Sequence, residues 1–140
     1  MGLPQIPPGG LLFGLGIDVT EAARVRRLLE RLPRAYARLF SAQERAYCDG
    51  FADPWSRYAA RFAAKEAIVK ALGTGFAHGI WIRDVGIAPN AWGRPEVIWS
   101  ERGRALRDRL GAGEGHVTLT DEAGLVVAVA VLMKRVEQAQ

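Results

Sequence analysis

Apolar and polar positions along this chain fall into blocks of two periods, one helical and one extended. Residues 11–19 are almost continuously apolar and read as a buried strand, with Gly14 and Gly16 inside it and Asp18 near its end. Glycines there imply close approach of another backbone or of a ligand. Residues 20–32 place Val25, Leu28, Leu29 and Leu32 on one helical face, and Pro33 stops that helix. Ser41-Ala42-Gln43-Glu44 is a capping-box pattern opening a helix that ends near Gly50. Asp53-Pro54 opens another, running to Leu72 with Gly73 as its stop. Residues 80–87 read as a strand, 90–95 as a turn and 96–99 as a second strand. Ser100 caps a short helix ending near Gly111. Residues 116–120 alternate, 121–124 suit a tight turn, and 125–133 are strongly apolar, which predicts an antiparallel hairpin at the core. Helices and strands mix without strict alternation and without a repeat, so the expected fold class is α+β. Residues 1–10, rich in Pro and Gly, read as a loose arm ahead of a single domain over 11–135.

Composition narrows the chemistry. A chain of 140 residues suits one core, and 49% hydrophobic with 24% charged residues is ordinary for a folded protein. The net charge of +4 fits an anionic ligand or an acidic partner, and is too small to argue for nucleic acid. One cysteine, Cys48, rules out an internal disulfide and a Cys-based zinc site. No apolar run is long enough for a bilayer, and the first residues lack the basic start and apolar stretch of a signal peptide. A cytoplasmic location is the expectation.

The charges of the 54–72 helix stand out. Trp55, Phe62, Glu66 and Val69 share one arc, so Glu66 lies among large apolar side chains and needs a cation. Lys70, four residues on, could supply it as a plain ion pair. The functional alternative is a metal ligand beside a phosphate-binding lysine. Arg57, Arg61 and Lys65 form a second ridge at i, i+4, i+8, either a solvated basic face or a polyanion site, and few acids are placed to serve them. Asp18 offers a second carboxylate, unless it only caps the following helix. Paired with Glu66 it would make an all-oxygen site suited to Mg²⁺.

The residues that carry these features, Gly14-Leu15-Gly16-Ile17-Asp18, Arg61-Phe62-Ala63-Ala64-Lys65-Glu66-Ala67, Lys70-Ala71-Leu72-Gly73-Thr74-Gly75 and His116-Val117-Thr118-Leu119-Thr120, resemble the holo-[acyl-carrier-protein] synthases, the short 4′-phosphopantetheinyl transferases. The resemblance spans roughly residues 11–133. It implies an antiparallel sheet packed with one long central helix. It also implies a transferase that moves the 4′-phosphopantetheine arm of coenzyme A to a serine of an apo acyl carrier protein, releasing adenosine 3′,5′-bisphosphate. Carried over residue by residue, it makes Asp18 and Glu66 the Mg²⁺ ligands and, with Lys70, the catalytic set. Arg61, Lys65, Lys70, Gly73, Thr74, Gly75, His116 and Thr118 become coenzyme A contacts. It further implies an acidic carrier as partner, in fatty acid or polyketide assembly, and a homotrimer with active sites between subunits. One departure is Asp121, where family members commonly carry histidine. It would either weaken phosphate binding, which favours the alternative of a non-catalytic coenzyme A or carrier-protein binding module of the same fold, or merely shape the hairpin turn.

Overall fold

In the computed structural model, which describes residues 11–136, five strands form one antiparallel sheet in the order β1-β5-β4-β3-β2. Strand β1 spans Leu12–Glu21, β2 Val85–Pro89, β3 Pro95–Trp99, β4 Ala112–Glu122 and β5 Leu125–Lys134. The helices are α1 (Ala22–Arg31), α2 (Ala35–Leu39), α3 (Ala42–Asp49), α4 (Pro54–Leu72) and α5 (Glu101–Leu110). This is the expected α+β architecture. The expected arm over 1–10 lies outside the described residues.

Helix α4 lies across one face of the sheet and is enclosed on most sides. Its ends are set by local chemistry. The Asp53 carboxylate accepts the Trp55 amide at 3.1 Å, Pro54 sits in the first turn, and Gly73 closes the helix at φ 86°. The capping box of α3 forms as the pattern predicts, with Ser41 and Glu44 bonding each other's backbone. Strand β5, between β1 and β4, alternates Val126, Ala128, Ala130 and Leu132 into the core.

Close packing between β1 and α4 explains the Gly-x-Gly-x-Asp spacing. Period-2 alternation aims Gly14, Gly16, Asp18 and Thr20 at the helix, and Leu15, Ile17 and Val19 at the opposite face. A Cβ on Gly14 would lie 1.8 Å from the Ala71 carbonyl oxygen, and one on Gly16 1.9 Å from that of Ala67. Only hydrogen fits at those two positions.

Three expectations need correction. Residues 80–87 do not form one strand: Ile82–Asp84 is a 3₁₀ turn and β2 starts at Val85. The buried Asp84 carboxylate causes the break by accepting the Trp81 amide (2.8 Å) and the Ser100 hydroxyl (2.7 Å). Strand β4 runs on to Glu122, so only Ala123 and Gly124 make the turn. Asp18 does not cap α1, whose N-cap is Glu21.

Candidate active site

Asp18 and Glu66 line one cavity of about 370 Å³, together with Thr20, Arg24, Leu28 and Phe62. Strand β1 delivers Asp18 and helix α4 delivers Glu66, and the two glycines let strand and helix approach closely enough for the carboxylates to share that space. Lys70 turns to Asp18 rather than to Glu66: its Nζ donates to Asp18 Oδ1 at 3.1 Å and to the Ile17 carbonyl at 3.0 Å. The Thr20 hydroxyl donates to Asp18 Oδ2 at 2.7 Å. The simple Glu66–Lys70 pair is therefore absent, and the local i, i+4 option has lost to a tertiary partner. Among the described residues no protein group hydrogen-bonds the Glu66 carboxylate. Burial pushes its pKa up, the neighbouring Asp18 charge adds to this, and Lys70 opposes both.

A half-buried carboxylate with no donor, facing a second carboxylate across a cavity, suits an oxygen-binding cation. The donor set fits Mg²⁺. No cluster of three His, Cys, Asp or Glu exists among the described residues, so substrate oxygens and water would have to complete the shell.

Glu66 also borders an apolar groove of about 590 Å³ that runs past Phe62, Phe76, Ile80 and Trp81. Gly73, Thr74 and Gly75 follow directly from the end of α4, one turn beyond Lys70. Gly73 and Gly75 both take positive φ, 86° and 57°. The Thr74 hydroxyl donates to the Gly75 carbonyl at 2.8 Å, which pins this bend.

The remaining candidates lie elsewhere in the chain. Arg61 is buried and lines a separate cavity of about 230 Å³ with Gln43, Glu44, Tyr47 and Ile87. Its guanidinium stacks 4.1 Å from the Tyr47 ring centroid, and its Nε has no partner. Lys65 does not face a ligand space. It is fully buried, and its ammonium donates to Glu44 Oε1 (2.9 Å), the Val85 carbonyl (2.9 Å) and the Ile82 carbonyl (3.2 Å). Burial drives its pKa down, while Glu44 opposes the shift. The expected shortage of acids for the basic ridge is thus corrected: Glu44 serves Lys65, and aromatic rings receive Arg57 (Phe51, 4.2 Å) and Arg61. Sequence reasoning missed Glu44 because its role as a capping residue already accounted for it.

His116 and Thr118 are exposed on the face of the sheet opposite α4. They share cross-strand rows there with Val131 and Leu15, and with Val129 and Ile17. Asp121 is exposed near the β4–β5 turn, and no described cation bonds it.

Comparison with known proteins identifies the family and the fold. The family model of the 4′-phosphopantetheinyl transferase superfamily matches residues 14–130. A holo-[acyl-carrier-protein] synthase of Anaeromyxobacter sp. (strain K) is 44% identical over 126 residues, covering 87% of this chain and 96% of that protein. One from Moorella thermoacetica is 44% identical over 117 residues, covering 84% and 91%. Among solved structures, the holo-[acyl-carrier-protein] synthase of Neisseria meningitidis superposes with a TM-score of 0.81 at 28% identity, covering 89% of this chain and 100% of that one. The Helicobacter pylori enzyme in complex with coenzyme A gives 0.75 at 27% identity, covering 84% and 98%. The family-model match over residues 14–130 and the 44% identical relatives, on a five-stranded antiparallel sheet packed against α4, place this chain in the 4′-phosphopantetheinyl transferase superfamily.

Proposed function

We propose that this protein transfers the 4′-phosphopantetheine arm of coenzyme A to a serine hydroxyl of an apo acyl carrier protein, releasing adenosine 3′,5′-bisphosphate, with Mg²⁺ as cofactor. The observation that carries the reading is the shared cavity of Asp18 and Glu66 with Lys70 at its edge. Bound there, Mg²⁺ would neutralise charge on the pyrophosphate. The chain's own residues do the rest. Lys70, half exposed, holds a positive charge where the leaving phosphate must be stabilised. The serine proton needs an acceptor. Glu66, or a water it orients, fits that role because no described protein donor engages its carboxylate, whereas Lys70 already donates to Asp18 and to the Ile17 carbonyl. The apolar lining of the groove beyond Glu66 suits the gem-dimethyl and methylene parts of the pantetheine arm.

Helix α1 supports an acidic carrier as acceptor. Arg24, Arg27 and Arg31 flank the exposed Leu28 and Leu32 on a surface that continues into the Asp18–Glu66 cavity through Arg24 and Leu28.

An exposed apolar sheet face supports assembly as a homotrimer. Leu15, Ile17 and Val19 are 56–62% exposed, and Val127, Val129 and Val131 stand beside them. That is an apolar sheet face of a kind monomers seldom leave open. His116 and Thr118 lie on it. A second copy covering this face would meet His116 and Thr118 directly.

The test is incubation with coenzyme A, Mg²⁺ and a panel of apo carrier proteins from fatty acid and polyketide assembly, read by intact mass. A pantetheine adduct on at least one carrier is expected. No adduct on any of them refutes the reading.

A further inference from the structure

Lys65 sits between two residues of the candidate site, Arg61 and Glu66, yet touches neither ligand space. Its three acceptors come from two other parts of the fold. Glu44 belongs to α3, and Ile82 and Val85 flank the 3₁₀ turn that leads into β2. Two of the three acceptors belong to a cavity wall. Glu44 lines the Arg61 cavity, and α3 also supplies Tyr47, on which Arg61 stacks. Ile82 lines the groove at Glu66, next to Ile80 and Trp81. One ammonium on the enclosed side of α4 therefore ties both walls to the helix that carries Arg61 and Glu66. The wall on the α1 side is built differently. Val25 and Leu29 of α1 pack into the apolar core, and only Leu39, one residue before Phe40, comes near the Lys65 network.

We propose that Lys65 is a positioning residue for the donor substrate: through Glu44, Ile82 and Val85 it fixes the two cavities that receive coenzyme A, without contacting it. This rests on the transferase reading. The acceptor protein, arriving over α1, should be indifferent to it.

The experiment compares wild type with Lys65→Met and with the double variant Glu44→Met/Lys65→Met. The single variant leaves Glu44 buried without its cation and should melt well below wild type. The double variant removes both charges, and such replacements of a buried pair by apolar side chains are often neutral for stability. It therefore recovers the melting temperature. It does not restore the donor to the Ile82 and Val85 carbonyls. The KM for coenzyme A should stay about tenfold above wild type, the scale expected for walls displaced by a fraction of an ångström. The KM for the carrier should stay within about twofold. A double variant with restored melting temperature and wild-type KM for coenzyme A overturns the proposal, as do parallel rises in both KM values. If neither methionine variant folds, Glu44→Gln decides, since it keeps shape and removes one charge: a raised KM for coenzyme A alone supports positioning, and an unchanged one overturns it. Wild-type turnover in the same assay separates failure of this proposal from failure of the transferase reading.

Discussion

The Gly16 position allows a quantitative test of how the site is assembled. Replacing it by alanine puts a methyl carbon 1.9 Å from the Ala67 carbonyl oxygen and 2.7 Å from the Ala71 amide nitrogen. Both atoms are helix backbone, so no rotamer change relieves the clash. Reaching even a 3.0 Å contact requires β1 and α4 to separate by about 1.1 Å. Overpacking of this size costs about 3 kcal/mol. For a domain of this length that lowers the melting temperature by about 10 °C. Asp18 follows Gly16 on the same face of β1 and would move away from Glu66 with it, and a displacement near 1 Å costs about a hundredfold in rate. Gly111→Ala is the control. Gly111 has φ 87° with open space around it, so alanine there adds only left-handed strain of about 1 kcal/mol. Thermal unfolding and carrier-loading kinetics together should show both losses for Gly16→Ala and only a small thermal loss for Gly111→Ala. A Gly16→Ala protein with wild-type turnover would refute the claim that close packing of β1 on α4 builds the site.

Other expectations follow from single residues. Glu66→Gln should abolish turnover while raising the neutral-pH melting temperature of the metal-free protein, because the ionised carboxylate is disfavoured by burial and by Asp18; that gain should shrink as pH falls through the raised pKa and vanish within the ordinary carboxylate range, and melting curves across pH would check it. Lys70→Met should lower kcat/KM by about a hundredfold through loss of phosphate charge stabilisation, with Asp18 left without its cation, as steady-state kinetics would show. Ile17→Asp should shift the protein to monomer in analytical ultracentrifugation and remove activity, while a wild-type sedimentation coefficient would count against the sheet-face assembly. Cys48 is fully buried with its thiol pushed up to about 11, so it should resist alkylation in the native state; stability should fall as pH rises from about 9 toward 11, where only the unfolded thiol ionises, and Cys48→Ala should remove that dependence.

Features governed by neighbours in sequence were legible before the structure. Both ends of α4, the Ser41–Glu44 capping box and the β4–β5 hairpin depend on residues within a few positions of one another. The glycines of β1 signalled a close approach, and α4 is what approaches. Three of the misreadings share one cause, a partner distant in sequence. Lys65 belonged to a plausible basic ridge until Glu44, 21 residues earlier, folded over it. Lys70 had a good partner at Glu66 and took Asp18, 52 residues away. Asp84 turned an apolar stretch into a 3₁₀ turn by bonding Ser100, 16 residues on. Helix α2, only five residues long, was too short to show a period. The two carboxylates Asp18 and Glu66 were legible as residue types, and helical spacing already set Arg61 apart from Glu66, whereas the place of His116 and Thr118 on the opposite sheet face was not legible.

Strand β1 is ten residues long and forms one edge of the sheet, paired only with β5 among the described residues. Apart from the Ile17 carbonyl, which accepts from Lys70, its outer backbone groups have no strand partner among the described residues and lie beside a row of exposed Leu15, Ile17 and Val19. A long apolar edge of this kind is a template for adding foreign strands. Any assembly that covers the open face would also shield that template. Dilution below the association threshold should then do more than lower activity. It should expose a surface prone to irreversible aggregation, so activity lost on dilution would return poorly on reconcentration.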